Sequence, residues 1–258
     1  MATALVIGDI HDNVEALRQI VRRTEFGIVI LAGDICEFRC SEFYEVFSKL
    51  NVPIIFVHGN HDCLPCFERM SQMIEDFYVL KNDILKLEID NKTLTIAGLG
   101  GVFSRKRRDM HHFSPIDITK LVNKILDLGE RIDILITHEC AKGCSDIIPY
   151  TKGTRGGKEA LYILHLAANP RVHICGHMHT PWIERFRNCL CLNPGYGFIG
   201  LGALLDLDKW TVKMFHVKFK YDFVKEHRII YTYSWIRNVK RSYYRILRME
   251  ANKIGSVK

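Results

Sequence analysis

Short apolar runs, each closed by a polar turn and followed by helically spaced apolar positions, recur along the first two-thirds of the chain. A-L-V-I-G (4–8) leads into Asp12-Asn13-Val14-Glu15, a capping signature ahead of a helix with Leu17, Ile20 and Val21 on one face. G-I-V-I-L-A (27–32) is followed by a helical pattern near 41–50, and P-I-I-F-V (53–57) by another near 64–75. Ser114-Pro115 supplies an N-cap and an N1 proline for a helix to about Leu128. D-I-L-I-T (133–137) and V-H-I-C-G (172–176) read as buried strands flanking a helix near 157–168.

Hairpins break this alternation. Residues 84–90 and 93–98, split by Asn91-Lys92, read as one, and 182–187 with 189–193 as another. A-L-L-D-L (203–207) and the alternating V-K-F-K-Y-D-F (217–223) close the strand region. Repeated βα units with added hairpins predict an α/β fold, a four-layer α/β/β/α sandwich of two mixed sheets flanked by helices. At 258 residues and 48% hydrophobic, the chain can bury a core of that size.

Five of the apolar runs end in residues that ligate metals. They are followed by Asp9 and His11, by Asp34, by Asn60 and His61, by His138, and by His177 and His179. Ligands of open α/β sheets collect at the carboxyl ends of strands. Carboxylate, imidazole and amide donors without thiolate suit divalent Mn, Fe, Zn or Ni. Seven or eight donors exceed what one tetrahedral ion takes and suffice for two, which about 4 Å apart clamp both sides of a phosphoryl displacement.

The order D-x-H (Asp9, His11), G-D-x-x-[DE] (Asp34, Glu37), G-N-H-D (59–62), T-H (His138) and G-H-x-H (His177, His179) resembles the calcineurin-like metallophosphoesterases over residues 5 to about 200. The resemblance implies a metal-dependent hydrolase of phosphoric esters with two divalent ions, Mn first, then Fe, Zn or Ni. Asp9, His11 and His179 would hold one ion, and Asn60, His138 and His177 the other, with Asp34 shared. His61 would act on the leaving group, oriented by Asp62, and a metal-bridging hydroxide would attack in line. G-T-R-G-G-K-E-A-L (153–161) and N-P-G (193–195) further resemble small prokaryotic-type members likened to cyclic-nucleotide phosphodiesterases, which favours a phosphodiester over a monoester. Relatives often have a proline-containing turn after the histidine, where this chain has Glu139-Cys140-Ala141-Lys142-Gly143. The ligand assignment stands, and the shape of that rim stays open. A non-catalytic scaffold on the same fold would normally show lost ligands, and none is lost.

Charge adds a second unit. Residues 209–258 carry 13 Lys/Arg against 3 Asp/Glu, whereas residues 1–208 are slightly acidic. We therefore divide the chain into a catalytic domain, 1–208, and a basic, aromatic-rich extension, 209–258. Ile236, Val239, Tyr243 and Leu247 form an apolar stripe there, opposite Arg237, Arg241 and Arg248. Such a helix grips a nucleic acid or an anionic surface, or docks on the body or on a second copy in a homodimer. Arg105, Lys106 and Arg155 sit in glycine-bearing basic segments and are candidate contacts for a nucleotide or RNA phosphate.

No run approaches the roughly 20 apolar residues of a membrane span, and the N-terminus lacks a basic signal region, so the expected location is cytoplasmic. The nine cysteines are then expected as thiols. Cys63-Leu64-Pro65-Cys66 lacks a second C-x-x-C at zinc-ribbon spacing and reads as the start of a helix.

Overall fold

The computed structural model describes residues 2–105, 109–148 and 156–219. Two six-stranded sheets lie face to face, with helices on both outer sides. The first sheet contains β1 (Thr3–Ile7), β2 (Ile28–Leu31), β3 (Ile54–Phe56), β4 (Phe77–Val79), β13 (Leu201–Asp206) and β14 (Thr211–His216), in the order β14-β13-β1-β2-β3-β4. The second contains β5 (Asn82–Ile89), β6 (Lys92–Leu99), β9 (Ile134–Thr137), β10 (Val172–Ile174), β11 (Trp182–Phe186) and β12 (Cys189–Asn193), in the order β11-β12-β10-β9-β6-β5. A short ladder joins β7 (Val102–Phe103) to β8 (His112–Phe113).

The central strands are apolar throughout because both of their faces are covered. Alternation along β1 makes the division visible. Ala4 and Val6 join the core between the sheets, with Ile30, Ile55, Ile134, Ile174 and Leu192. Leu5 and Ile7 face the outer layer of α1 (Val14–Arg23), α2 (Cys40–Phe47) and α3 (Leu64–Met73), against Leu17, Phe43 and Phe67. On the far side, Leu99 and Leu135 pack with Leu121 of α4 (Pro115–Leu128) and Leu161 of α5 (Glu159–Ala168). The predicted four layers, both hairpins and all five helices of the body are present.

Three local expectations are corrected. Asn13, not Asp12, caps α1, accepting the Ala16 N–H at 3.1 Å. Asp12 instead accepts the N–H groups of Glu37, Phe38 and Arg39, so competing donors from the next loop captured the carboxylate. The strand β4 went unpredicted because its apolar run is only three residues long. A strand ahead of the expected one, Thr211–His216, pairs with β13; of the expected strand 217–223, residues 217–219 are not in a strand and 220–223 lie outside the described residues. Residues 220–258, including the amphipathic stripe, lie outside the described residues. No helix among the described residues is long and apolar enough to cross a membrane.

Candidate metal centre

The loops that leave β1, β2 and β3 in one sheet meet those that leave β9 and β10 in the other. Ligand atoms of Asp9, His11, Asp34 and His179 lie within 4.8 Å of one another, as do those of Asp34, His138 and His177. Asp34 belongs to both groups. Its Oδ2 is 3.7 Å from His11 Nε2 and 3.3 Å from His138 Nε2. His179 Nε2 lies 3.1 Å from Asp9 Oδ1 and 3.2 Å from His11 Nε2.

The backbone bends sharply to achieve this. Asp9, His11, Asp34, His177 and His179 all have positive φ, between 46° and 63°. Non-glycine residues enter that region at a cost, and clusters of them mark functional loops. The turns lock together through hydrogen bonds. His11 N–H donates to the Asp34 carbonyl at 2.9 Å, and His177 N–H donates to both Asp9 carboxylate oxygens at 3.1 Å. Glycines make the close approach possible. A Cβ on Gly33, which has φ of 86°, would collide with the His138 ring, and one on Gly59 with the Asp34 carboxylate.

The donor set fits divalent cations. His138 donates its Nδ1–H to the Ala32 carbonyl at 2.8 Å, which turns its Nε2 toward Asp34. That Nε2 and Asn60 Oδ1 are buried and make no hydrogen bond to any described residue. Burial holds the imidazoles of His11 and His177 down, at about 3 and about 4, so both are neutral and able to ligate at pH 7. Burial also opposes charge on His138, but the Asp34 carboxylate beside it outweighs this, with Asp9 and the Ala32 carbonyl adding to the effect, and raises it to about 10. The carboxylates thus draw positive charge into a dry site, and His138 in turn holds Asp34 well below the usual carboxylate range despite its burial.

His61 stands at the rim with its side chain 38% exposed, its ring centroid 5.4 Å from that of His11. The carboxylate facing it belongs to Glu37, whose Oε2 is 3.7 Å from His61 Nδ1. This corrects the expectation for Asp62. Both Asp62 oxygens are taken by backbone donors, from Asp34, Ile35 and Gly59 at 2.7 Å and Cys36 at 2.9 Å. Burial and the Asp34 charge push this carboxyl up to about 7, against the pull of those N–H groups. Asp62 is a clamp between two ligand-bearing loops. Asp62→Ala should strand several buried N–H groups, cost on the order of 3 kcal/mol and weaken metal binding roughly 10–100-fold. Urea unfolding and metal titration would test this, and unchanged stability would refute the clamp.

Sequence reasoning missed two residues. The Glu139 carboxylate is buried, accepts the Phe103 N–H at 2.5 Å, and approaches Lys158 Nζ at 3.3 Å and His177 Nε2 at 3.9 Å. Its position next to His138 was the available signal. Tyr196, fully buried, stacks on His179 with ring centroids 4.6 Å apart, and only the fold brings the two together. Arg105 is exposed, and Lys106 and Arg155 lie outside the described residues.

Residues 3–202 match the sequence profile of the calcineurin-like phosphoesterase superfamily domain. Among solved structures, the Thermus thermophilus protein TT1561 superposes with a TM-score of 0.69 at 16% identity, over 84% of this chain and 99% of its own. A putative 5′-nucleotidase from Staphylococcus aureus, solved with alpha-ketoglutarate, gives 0.56 at 14% identity, over 94% of this chain and 58% of its own. A phosphopantetheinyl hydrolase from Mycobacterium tuberculosis gives 0.54 at 14%, over 76% and 90%. At such identities the likeness is one of fold. A search of curated proteins by sequence found no match.

Proposed function

The chain belongs to the calcineurin-like phosphoesterase superfamily, whose members hydrolyse phosphoric esters with divalent metals, and on that premise we propose that it is a phosphodiesterase with a dinuclear centre. The observation that carries the reading is the pair of donor groups sharing Asp34. Asp9, His11 and His179 hold one cation in this reading, and Asn60, His138 and His177 the other. Two divalent ions supply Lewis-acid stabilisation of phosphoryl oxygens and lower the pKa of water. Mn is the first candidate for this oxygen- and nitrogen-rich set.

The protein's own residues do the rest. Asp34 and Asp9 concentrate negative charge in a buried pocket, where each interaction is strong. The Asp62 clamp and the turns at Gly33 and Gly59 preorganise the donors, so little rearrangement is needed when the ester binds. His61 is half-exposed above His11, where it can give a proton or hydrogen bond to the departing oxygen. Glu37, whose Oε2 is 3.7 Å from His61 Nδ1, is placed to orient that ring.

A diester is favoured over a monoester by the basic rim segments, since a nucleotide or RNA phosphate offers them partners. The charge excess of 209–258 extends that argument to a polymer grip. With added Mn²⁺, turnover of bis-p-nitrophenyl phosphate should exceed that of p-nitrophenyl phosphate. Single-stranded RNA cleavage should fall steeply with salt while the small diester is little affected. Monoester preference would sink the diesterase reading, and equal salt dependence would remove the polymer grip.

A further inference from the structure

The cysteines gather at two places in the fold. Against the expectation of nine thiols, six cysteines are paired; around β12, Cys140 is bonded to Cys175 and Cys144 to Cys191, beside His165, His173 and Cys189. The polar atoms of this group already satisfy one another. The Thr137 hydroxyl donates to the Glu139 carbonyl at 2.6 Å, so the 2.9 Å contact with His173 Nε2 is a donation from the ring. His173 Nδ1 is then left to accept from His165 Nδ1–H at 3.0 Å. The chain of donors closes without needing a metal.

The other group is different. Cys36 follows the β2 loop, Cys40 begins α2, Cys63 caps α3 and Cys66 lies in its first turn. Cys63 N–H donates to the Cys36 carbonyl at 2.8 Å, which docks the two loops together. The sulfurs of Cys40, Cys63 and Cys66 lie within 4.8 Å of one another, and Cys36 Sγ is 3.5 Å from Cys40 Sγ. A tetrahedral zinc with Zn–S of about 2.3 Å separates its sulfurs by about 3.8 Å. Cys36-x-x-x-Cys40 and Cys63-x-x-Cys66 are both ligand spacings of structural zinc sites. Cys36 is buried, whereas the other three are half-buried, which leaves a path for an ion to enter.

We propose that Cys36, Cys40, Cys63 and Cys66 form a four-thiolate structural site for a soft divalent cation of the zinc class, separate from the Asp/His centre. The site would staple the loop bearing Asp34 to the loop bearing Asn60 and His61, the same two loops that the Asp62 carboxylate joins. Cys63 and Cys66 are disulfide-bonded in the structure, so loading begins with reduction. A cellular dithiol gives two electrons and two protons, breaks the S–S bond to leave two thiols, and itself closes to a disulfide. Metal binding then releases the thiol protons to solvent.

Cobalt distinguishes this site from the centre, because the Asp/His set has no sulfur and cannot give a thiolate-to-cobalt charge-transfer band. The full chain, purified with a non-chelating phosphine reductant and titrated with Co²⁺, should show that band, saturating at about one sulfur-bound ion per chain. Cys40→Ser and Cys66→Ser, both at half-buried positions, should each lose most of the band and keep the weaker visible absorption of the Asp/His centre. Cys189→Ser should keep both. Absence of the band in protein whose Cys36, Cys40, Cys63 and Cys66 thiols are all titratable would overturn the proposal. So would a band that survives both Cys40→Ser and Cys66→Ser, or a Cys63–Cys66 disulfide that persists under the reductant.

Discussion

Asp34→Asn is expected to lower kcat/KM by about 10³-fold, roughly 4 kcal/mol of transition-state stabilisation. Bound metal should fall from about two ions per chain to one or none. The carboxylate is the member common to both donor groups, so losing its charge weakens both. Asn keeps the size of the side chain and one oxygen for the His61 N–H, which donates to Asp34 Oδ1 at 2.8 Å. The Asp34 backbone N–H still reaches Asp62. The effect should therefore appear in metal content and rate rather than in folding. Metal analysis beside kinetics decides the matter. Two tightly held ions together with less than a tenfold loss of activity would show that Asp34 is not shared.

His61→Ala is expected to lower kcat by about 10² to 10⁴-fold while metal content stays unchanged. The two variants thus separate by their metal analysis. His61 is outside both donor groups, and its half-exposed ring faces the rim. If it assists the leaving group, the loss should be larger for an alkyl diester than for a nitrophenyl diester, because a nitrophenolate leaves readily without a proton. Equal losses on the two substrates would remove that role. Glu37, rather than Asp62, is the carboxylate that faces His61, since Asp62 spends both oxygens on backbone N–H groups.

Much of this molecule is legible in the order of its residues. The apolar runs at 4–8, 27–32, 53–57, 133–137 and 172–176 are buried on both faces, and a run of that kind survives only inside layered sheets. The polar residues that follow each run are seen at once as strand-end groups, so the identities of Asp9, His11, Asp34, Asn60, His138, His177 and His179 as candidate donors need no coordinates. Ser114-Pro115 starts a helix where expected because cap and N1 chemistry is local.

Competition between groups distant in the chain is resolved only on folding. Asp12 and Asp62 are acidic residues beside candidate metal ligands, and either reads as a cap or a catalytic partner. Each instead accepts N–H groups from a loop more than twenty residues away in the chain, and at Asp62 those donors are buried, where leaving them unpaired costs more than a local contact returns. The membership of Asp34 in both donor groups, the stacking of Tyr196 on His179 and the meeting of Cys40 with Cys63 and Cys66 have the same origin. The layers, the family and the candidate donors are readable from the order of residues alone, since periodicity and strand-end chemistry act over a few positions. Which donors share an ion, which carboxylate faces His61 and which sulfurs converge depend on how two sheets are stacked, and that is settled only when the core closes.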